Sequence, residues 1–191
     1  EDVEFEENLN KQFDKSLLSV VERFDADLCN YDFSSNDSKF NKLIEFIENK
    51  KESKILIFAQ YKGTLEYLMN KIKNRNFSVD LIHGGIKIDD RQDIVYNFNN
   101  QSNPQILLSS EVGSEGLDMH HNCNIIVNYD LPWNPMKVEQ RIERLDRVGQ
   151  KSNTIQIVNF LISNTIESRV YLALHEKIFY FQNSIGDLAS I

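Results

Sequence analysis

The sequence predicts an α/β domain with a mostly parallel, doubly wound sheet. Between about residues 38 and 181, apolar runs of strand length alternate with segments of helix length. This alternation is typical of parallel strands joined by crossover helices. Several of the runs, such as 54–60 (KILIFAQ) and 105–110 (QILLSS), are nearly continuous in apolar residues. Such runs indicate strands that are covered on both faces.

The elements can be assigned in chain order. Residues 1–36 are acidic and irregular, with one helix predicted at about 9–28, and turn-forming residues at 30–37 mark a boundary. The predicted strands are 54–60, 79–84, 105–110, 124–130 and 154–162. The predicted helices are 38–49, 64–73, 89–98, 134–150 and 166–181. The prediction therefore divides the chain into a partly helical linker (1–36), a domain with a C-terminal brace helix (37–182) and a tail (183–191).

Composition narrows the class of protein. Apolar runs are shorter than the ~20 residues of a membrane helix, and the acidic start EDVEFEENLN resembles no targeting peptide. Cys29 and Cys123 are far apart in sequence and form no CxxC pair, which fits a reducing cytoplasm. The net charge of −8 predicts weak nucleic-acid binding by this chain alone, because affinity for phosphates comes mostly from Lys and Arg.

Segment 134–150 (NPMKVEQRIERLDRVGQ) is the most informative part of the sequence. Asn134 can cap a helix, Pro135 suits its first position and Gly149 suits its end. Helical spacing predicts an apolar stripe and, on the opposite face, a stripe of two arginines and an amide. The apolar stripe is Val138, Ile142 and Leu145, and the polar stripe is Gln140, Arg144 and Arg147.

The polar stripe has two interpretations. Arginine is permanently charged and binds phosphate through two donors, so the stripe suits anionic oxygens. Alternatively, it is a solvated face on which Glu143 and Arg147 form an i,i+4 ion pair. Spacing alone favours the second interpretation.

The sequence QRIERLDRVGQ (140–150) resembles motif VI of superfamily 2 helicases in its Swi/Snf-type form, and DLPWNP (130–135) is similar to the run that precedes that motif. KILIFAQY (54–61) resembles motif IV, HGGIKIDDR (83–91) the block after it, and ILLSSEVGSEGLDM (106–119) motif V. These blocks occur in family order over residues 37–182. Glu143, where bacterial RapA-like relatives often have Gly, and Ser110, where Thr is usual, depart from the pattern.

The resemblance implies a RecA-like C-terminal lobe whose arginines reach ATP held by another lobe. Arg147 would contact the γ-phosphate with Arg144 beside it, and Gly116, Asp118 and Gln140 would face the nucleotide. The nucleic-acid side would be formed by Gln60, Tyr61, His83, Gly84, Ser109, Ser110 and Trp133. Without the resemblance, the glycine turns, Tyr61 and Trp133 have ordinary structural explanations. No zinc site is expected at His120, His121 and Cys123, because adjacent histidines should point apart.

The chain lacks GxxxxGK[ST] and a DExx segment after a strand. We therefore expect a fragment that is inactive alone, with ATP and Mg²⁺ held mainly by an N-terminal lobe of the same protein. The predicted function is the C-terminal lobe of a DNA-dependent ATPase that translocates on duplex DNA. RNA polymerase or another nucleoprotein complex is the expected protein partner, and no membrane is expected. The alternatives are an RNA helicase lobe, a stand-alone nucleotide-binding module and an inactive interaction domain.

Overall fold

The computed structural model describes residues 37–132 and 134–165, together with residues 168, 169, 171 and 172. Several predictions concern residues outside this range. They are the helical linker 1–36, the position of Trp133, most of the brace helix and the tail 183–191. Within the described residues, no helix is long and apolar enough to cross a membrane.

In the part of the chain that the structure describes, five parallel strands form one sheet. The strands are β1 (Lys54–Phe58), β2 (Val79–Ile82), β3 (Ile106–Ser109), β4 (Cys123–Asn128) and β5 (Gln156–Asn159). Their order across the sheet is β2-β3-β1-β4-β5. The chain leaves central β1 toward one edge and later crosses it to add β4 and β5 on the other side. This confirms the predicted doubly wound α/β class. Ligand sites in such sheets lie beyond the carboxyl ends of the strands near the reversal.

The two helices nearest the start of the domain cover one face of the sheet. They are α1 (Ser38–Glu48) and α2 (Lys62–Lys73). Side chains alternate between the faces of a strand, so Ile55 and Ile57 of β1 point into this layer. There they join one buried cluster with apolar side chains of α1 and α2, namely Phe40, Leu43, Ile44, Ile47, Leu65, Leu68 and Ile72.

A second apolar cluster lies on the other face, where α3 (Ile88–Asn100), α4 (Glu111–Ser114) and α5 (Pro135–Ile142) join the strands. Leu56 and Phe58 of β1 belong to this cluster. They pack with Val95 and Phe98 of α3 and with residues from the later segments, namely Met119, Cys123 and Leu145. This layer therefore carries the segments that resemble motifs V and VI.

Two local predictions are wrong. The segment between β3 and β4, for which the sequence predicted no helix, contains the short helix α4. The hydroxyl of Ser110 caps this helix by accepting a hydrogen bond from Gly113 N at 3.0 Å. The helix predicted to extend to Gly149 ends at Ile142. From Arg144 the backbone forms tighter i→i+3 bonds, including Leu145 N to Ile142 O at 2.9 Å, and this places Leu145 in the core.

Candidate functional site

The carboxyl edge of the sheet collects the loops that the sequence predicted to be functional. Gln60 and Tyr61 follow β1, and both are exposed. The backbone N–H of Gln60 donates to Asp130, which follows β4, with an N to Oδ2 distance of 3.3 Å. Asp130 also forms an ion pair with Lys39 at 3.5 Å. The ends of β1 and β4 are therefore joined by polar contacts at this edge.

The glycine loop after β2 is fixed to α4 by one arginine. Arg91 donates to the carbonyl of Gly84 at 2.9 Å and to that of Val112 in α4 at 3.3 Å. Within the loop, Gly85 N donates to Nδ1 of His83 at 3.0 Å. His83 is half-buried and Gly84 is exposed, so the loop presents mainly backbone at the surface.

The two serines after β3 differ in what they can reach. Ser109 is fully buried and donates to the carbonyl of Ser110 at 2.8 Å. Ser110 is half-buried and its hydroxyl caps α4. A ligand at this edge could therefore contact the Ser110 side chain, but the Ser109 side chain does not reach the surface.

The turn after α4 contacts the arginine segment. Gly116 has a φ of +74° and is exposed, which suits a sharp bend that glycine adopts without strain. Asp118 forms an ion pair with Arg147. Met119 N donates to the carbonyl of Arg144 at 3.2 Å. The structure thus brings Asp118, Arg144 and Arg147 together.

The two predicted faces of the arginine segment are visible in the burial of its side chains. Leu145 is fully buried, and Ile142 packs partly buried against the same cluster. Gln140 and Arg147 are exposed, whereas Arg144 is half-buried. Arg147 also donates through Nε to the carbonyl of Glu143 at 2.9 Å. Arg147 therefore contacts the backbone of Glu143 and does not form the side-chain ion pair with Glu143 that the alternative interpretation predicted.

Sequence reasoning missed Arg141, whose side chain is only 2% exposed. It donates to Oδ1 of Asn128 at 2.7 Å, to the carbonyl of Asp130 at 2.9 Å and to Oε1 of Glu111 at 2.9 Å. The spacing held a signal: at ~100° per residue, Arg141 lies ~60° from Val138 on a helix, on the apolar side. A second signal was the polar Asn128, which ends β4 directly after the apolar run 125–127.

Glu111 is the carboxylate that balances this buried cation. It also forms an ion pair with Lys137 of α5, with Nζ and Oε2 2.8 Å apart. Burial acts to raise the pKa of Glu111, but the hydrogen bonds and charges of Lys137 and Arg141 outweigh it and lower that pKa below its usual value. Burial lowers the pKa of Arg141, opposed by its bond to Glu111. The Glu111 carboxylate is therefore charged near neutral pH, and a guanidinium group keeps its charge in proteins.

A small notch opens where α4 meets α5. It contains three cationic side chains and one carboxylate, and its lining is Glu111, Ser114, Lys137, Gln140, Arg141 and Arg144. The excess of positive charge suits an anionic oxygen. Two residues that the resemblance assigned to ATP, Gln140 and Arg144, thus share one concave surface.

The His120, His121 and Cys123 group does not have the predicted geometry. The two imidazole rings stack with centroids 4.3 Å apart instead of pointing apart. His120 is buried, and burial is the main cause that lowers its pKa. Burial raises the pKa of the Cys123 thiol to about 12. In the described part of the chain, no group of three or more His, Cys, Asp or Glu side chains could hold a metal ion.

Comparison with known families identifies the protein family of this chain. Residues 38–149 match the model of the helicase conserved C-terminal domain. The chain belongs to this family. The matched range includes both segments that form the notch, and it ends at Gly149, which closes the arginine segment. The matched range therefore includes the loops after β1, β2 and β3 that lie at the carboxyl edge of the sheet.

Two curated relatives are similar in sequence to this chain. The chain is 34% identical over 157 residues to the uncharacterised ATP-dependent helicase YqhH of Bacillus subtilis (strain 168), covering 82% of this chain and 27% of that protein. It is 36% identical over 127 residues to the RNA polymerase-associated protein RapA of Vibrio cholerae serotype O1 (strain M66-2), covering 65% and 13%. The chain therefore spans about a quarter or less of the length of these relatives.

The crystal structure of the C-terminal part of the Fun30 ATPase domain shares the fold. Its TM-score is 0.66 at 22% identity, and the likeness covers 83% of this chain and 53% of that one. This agrees with the RecA-like, Swi/Snf-type helicase C-terminal fold that the motifs predicted.

Proposed function

We propose that this chain is the C-terminal motor lobe of a DNA-dependent ATPase that translocates on duplex DNA. The observation that carries the proposal is the junction of the Asp118 turn with the arginine segment, inside a helicase C-terminal domain. Two contacts form it: the ion pair between Asp118 and Arg147, and the hydrogen bond from Met119 N to Arg144 O. Charged donors grouped beside a glycine turn suit a nucleotide phosphate.

In this proposal Arg147 acts as the arginine finger on the γ-phosphate, and Arg144 supports it from the notch. An N-terminal lobe of the same protein holds most of the ATP and its Mg²⁺, while Gly116, Asp118 and Gln140 complete the nucleotide side. The guanidinium groups would neutralise charge that spreads over the transferred phosphoryl group. Arg147 would have to exchange its Asp118 partner for phosphate when the lobes close.

The nucleic-acid side of the proposed lobe is the strip of loops after β1, β2 and β3. Exposed Gln60, Tyr61 and Gly84 and half-buried His83 and Ser110 are its accessible members. Ser109 is fully buried and its carbonyl accepts from Ala59 N at 3.1 Å, so in this proposal it positions Ser110 without a contact of its own, and Trp133 completes the proposed set. The name of RapA associates that relative with RNA polymerase, and we propose a partner of this kind, a polymerase or another nucleoprotein complex.

The isolated chain is expected to show no ATP hydrolysis above background, with or without DNA. It lacks the glycine-rich phosphate cradle and the magnesium-binding acidic segment that hydrolysis needs. The measurement is phosphate release by the purified 191-residue chain, with the Arg147→Ala variant as a control for contaminating enzymes. Turnover that is present in the wild-type chain and lost in the variant would contradict the two-lobe proposal.

The choice of nucleic acid is tested on the two-lobed protein. Duplex DNA is expected to stimulate ATP hydrolysis more than single-stranded RNA, and ATP is expected to drive displacement of a third strand from a DNA triplex without separating the duplex. Stimulation by RNA alone would support the RNA helicase alternative. No stimulation by either, with intact folding, would support an inactive interaction domain.

A further inference from the structure

Arg141 is a buried cation that joins four segments of the domain. It belongs to α5, and its donors reach Asn128 and Asp130 at the end of β4 and Glu111 at the start of α4. Its guanidinium also lies 5.1 Å from the ring centroid of Phe58 at the end of β1. A contact set of this kind fixes the position of α5 against the sheet and against α4 at the same time.

The chemistry of these contacts requires a guanidinium. Its donors are planar and point in fixed directions, so one side chain can bind an amide, a carbonyl and a carboxylate together. A lysine carries its charge at one atom and would satisfy these partners less well. Removing the charge of Glu111 or of Arg141 leaves the other group in a buried or partly buried position without its full opposite charge. This loss lowers the stability of the folded domain.

The position of Arg141 in the chain connects this packing to the proposed chemistry. Gln140 precedes it and Arg144 follows one turn later, and both line the notch together with Glu111. Glu111 belongs to α4, which leads into the turn with Gly116 and Asp118. The contact between Glu111 and Arg141 therefore links the two segments that would face ATP.

We propose that Glu111 and Arg141 form a positioning pair that holds Arg144 and Gln140 in the geometry needed for hydrolysis. This inference rests on the proposed function. We place neither side chain in contact with the nucleotide, since Arg141 is buried and its two terminal nitrogens donate to Asn128, Asp130 and Glu111. The pair acts through Arg144, and its loss should lower turnover more than ATP affinity.

The primary test replaces Glu111 with glutamine in the two-lobed protein. Glu111→Gln removes the balancing charge but keeps the shape and one oxygen acceptor for Arg141, and the charge of Asp130 remains nearby. We therefore expect the domain to fold with a lowered melting temperature, which a thermal melt checks. We expect kcat for DNA-stimulated ATP hydrolysis to fall at least about tenfold while KM for ATP changes less than about threefold, because a misplaced catalytic group costs mainly transition-state stabilisation. Arg141→Lys should show the same split, with a larger loss than Glu111→Gln.

The matched control is Glu66→Gln, which removes an exposed carboxylate and its ion pair with Lys62 on α2, on the opposite face of the sheet. It neutralises the same kind of group far from the notch and should leave kcat and KM unchanged. Equal kcat losses in Glu66→Gln and Glu111→Gln would overturn the proposal.

A double-mutant cycle separates positioning from an independent role. If Glu111 acts through Arg144, adding Glu111→Gln to Arg144→Ala should lower kcat no further. Two results would contradict the positioning role of the pair and leave the proposed function intact. One is a double variant whose loss of kcat is the product of the two single losses, and the other is a kcat within twofold of wild type for Glu111→Gln alone. If Arg144→Ala and Arg147→Ala both hydrolyse ATP at the wild-type rate, the proposed function fails and the pair fails with it.

Discussion

Replacing Arg147 with alanine in the two-lobed protein is expected to lower kcat for DNA-stimulated ATP hydrolysis by about 10³-fold or more. An arginine finger stabilises charge mainly in the transition state, so KM for ATP should change far less than kcat. Arg144→Ala should have the same direction of effect. Steady-state kinetics at saturating DNA measure both constants.

The stability of the domain should be nearly unaffected by the Arg147 change. Arg147 is exposed, and substitutions at exposed sites usually change the free energy of unfolding by less than ~0.5 kcal/mol. Leu145→Ala is the contrasting control, because Leu145 is fully buried and its truncation should cost ~2–5 kcal/mol. Leu145 serves better here than Ile142, which is only partly buried. Arginine variants that melt early yet keep full turnover would indicate a structural ion-pair face.

Replacing Gly113 with alanine is expected to destabilise the domain by about 1–3 kcal/mol or more. An added Cβ would lie 2.7 Å from the Cα of His83 and 2.7 Å from the carbonyl oxygen of Ile82. Both contacts are with backbone, so α4 would have to move away from the end of β2. A thermal melt should show a drop of several degrees, at a few degrees per kcal/mol for a domain of this size.

Gly63→Ala is the matched control for the Gly113 substitution. Gly63 lies in the first turn of α2, and an added Cβ there meets no atom within 4 Å. Alanine should stabilise this position by about 0.5 kcal/mol, because it lowers the entropy of the unfolded chain. Equal melting temperatures for the two variants would mean that the close approach of α4 to β2 is not present in solution.

The sequence predicted the fold well because the central strands β1, β3 and β4 are buried on both faces. All five apolar runs contain a strand, and four of the predicted connecting helices are present within the described residues. The strands end earlier than predicted, as β2 does at Ile82 and β3 at Ser109. The polar and glycine residues at the ends of the predicted runs lie outside the sheet, where they form the loops of the carboxyl edge. The pattern of apolar residues does not predict this, because it depends on tertiary contacts.

The candidate site was predicted less completely than the fold. Motif spacing placed Arg144 and Arg147 in the segment that contacts Asp118, and the structure brings these three residues together. Arg141 was missed because helical spacing and the motif resemblance selected only Arg144 and Arg147, and a buried guanidinium needs partners from α4 and β4 that only the fold supplies. The short helix α4 was missed because four residues carry no periodic signal.

Photocrosslinking tests directly whether Arg144 and Arg147 reach the γ-phosphate of ATP held by another lobe. The two-lobed protein would be bound to duplex DNA and irradiated with an ATP analogue that carries an aryl azide on its γ-phosphate, and labelled peptides would be mapped by mass spectrometry. We expect label on segment 134–150 in addition to the N-terminal lobe, suppressed by excess ATP. Label confined to the N-terminal lobe, in a preparation that hydrolyses ATP when DNA is present, would contradict it.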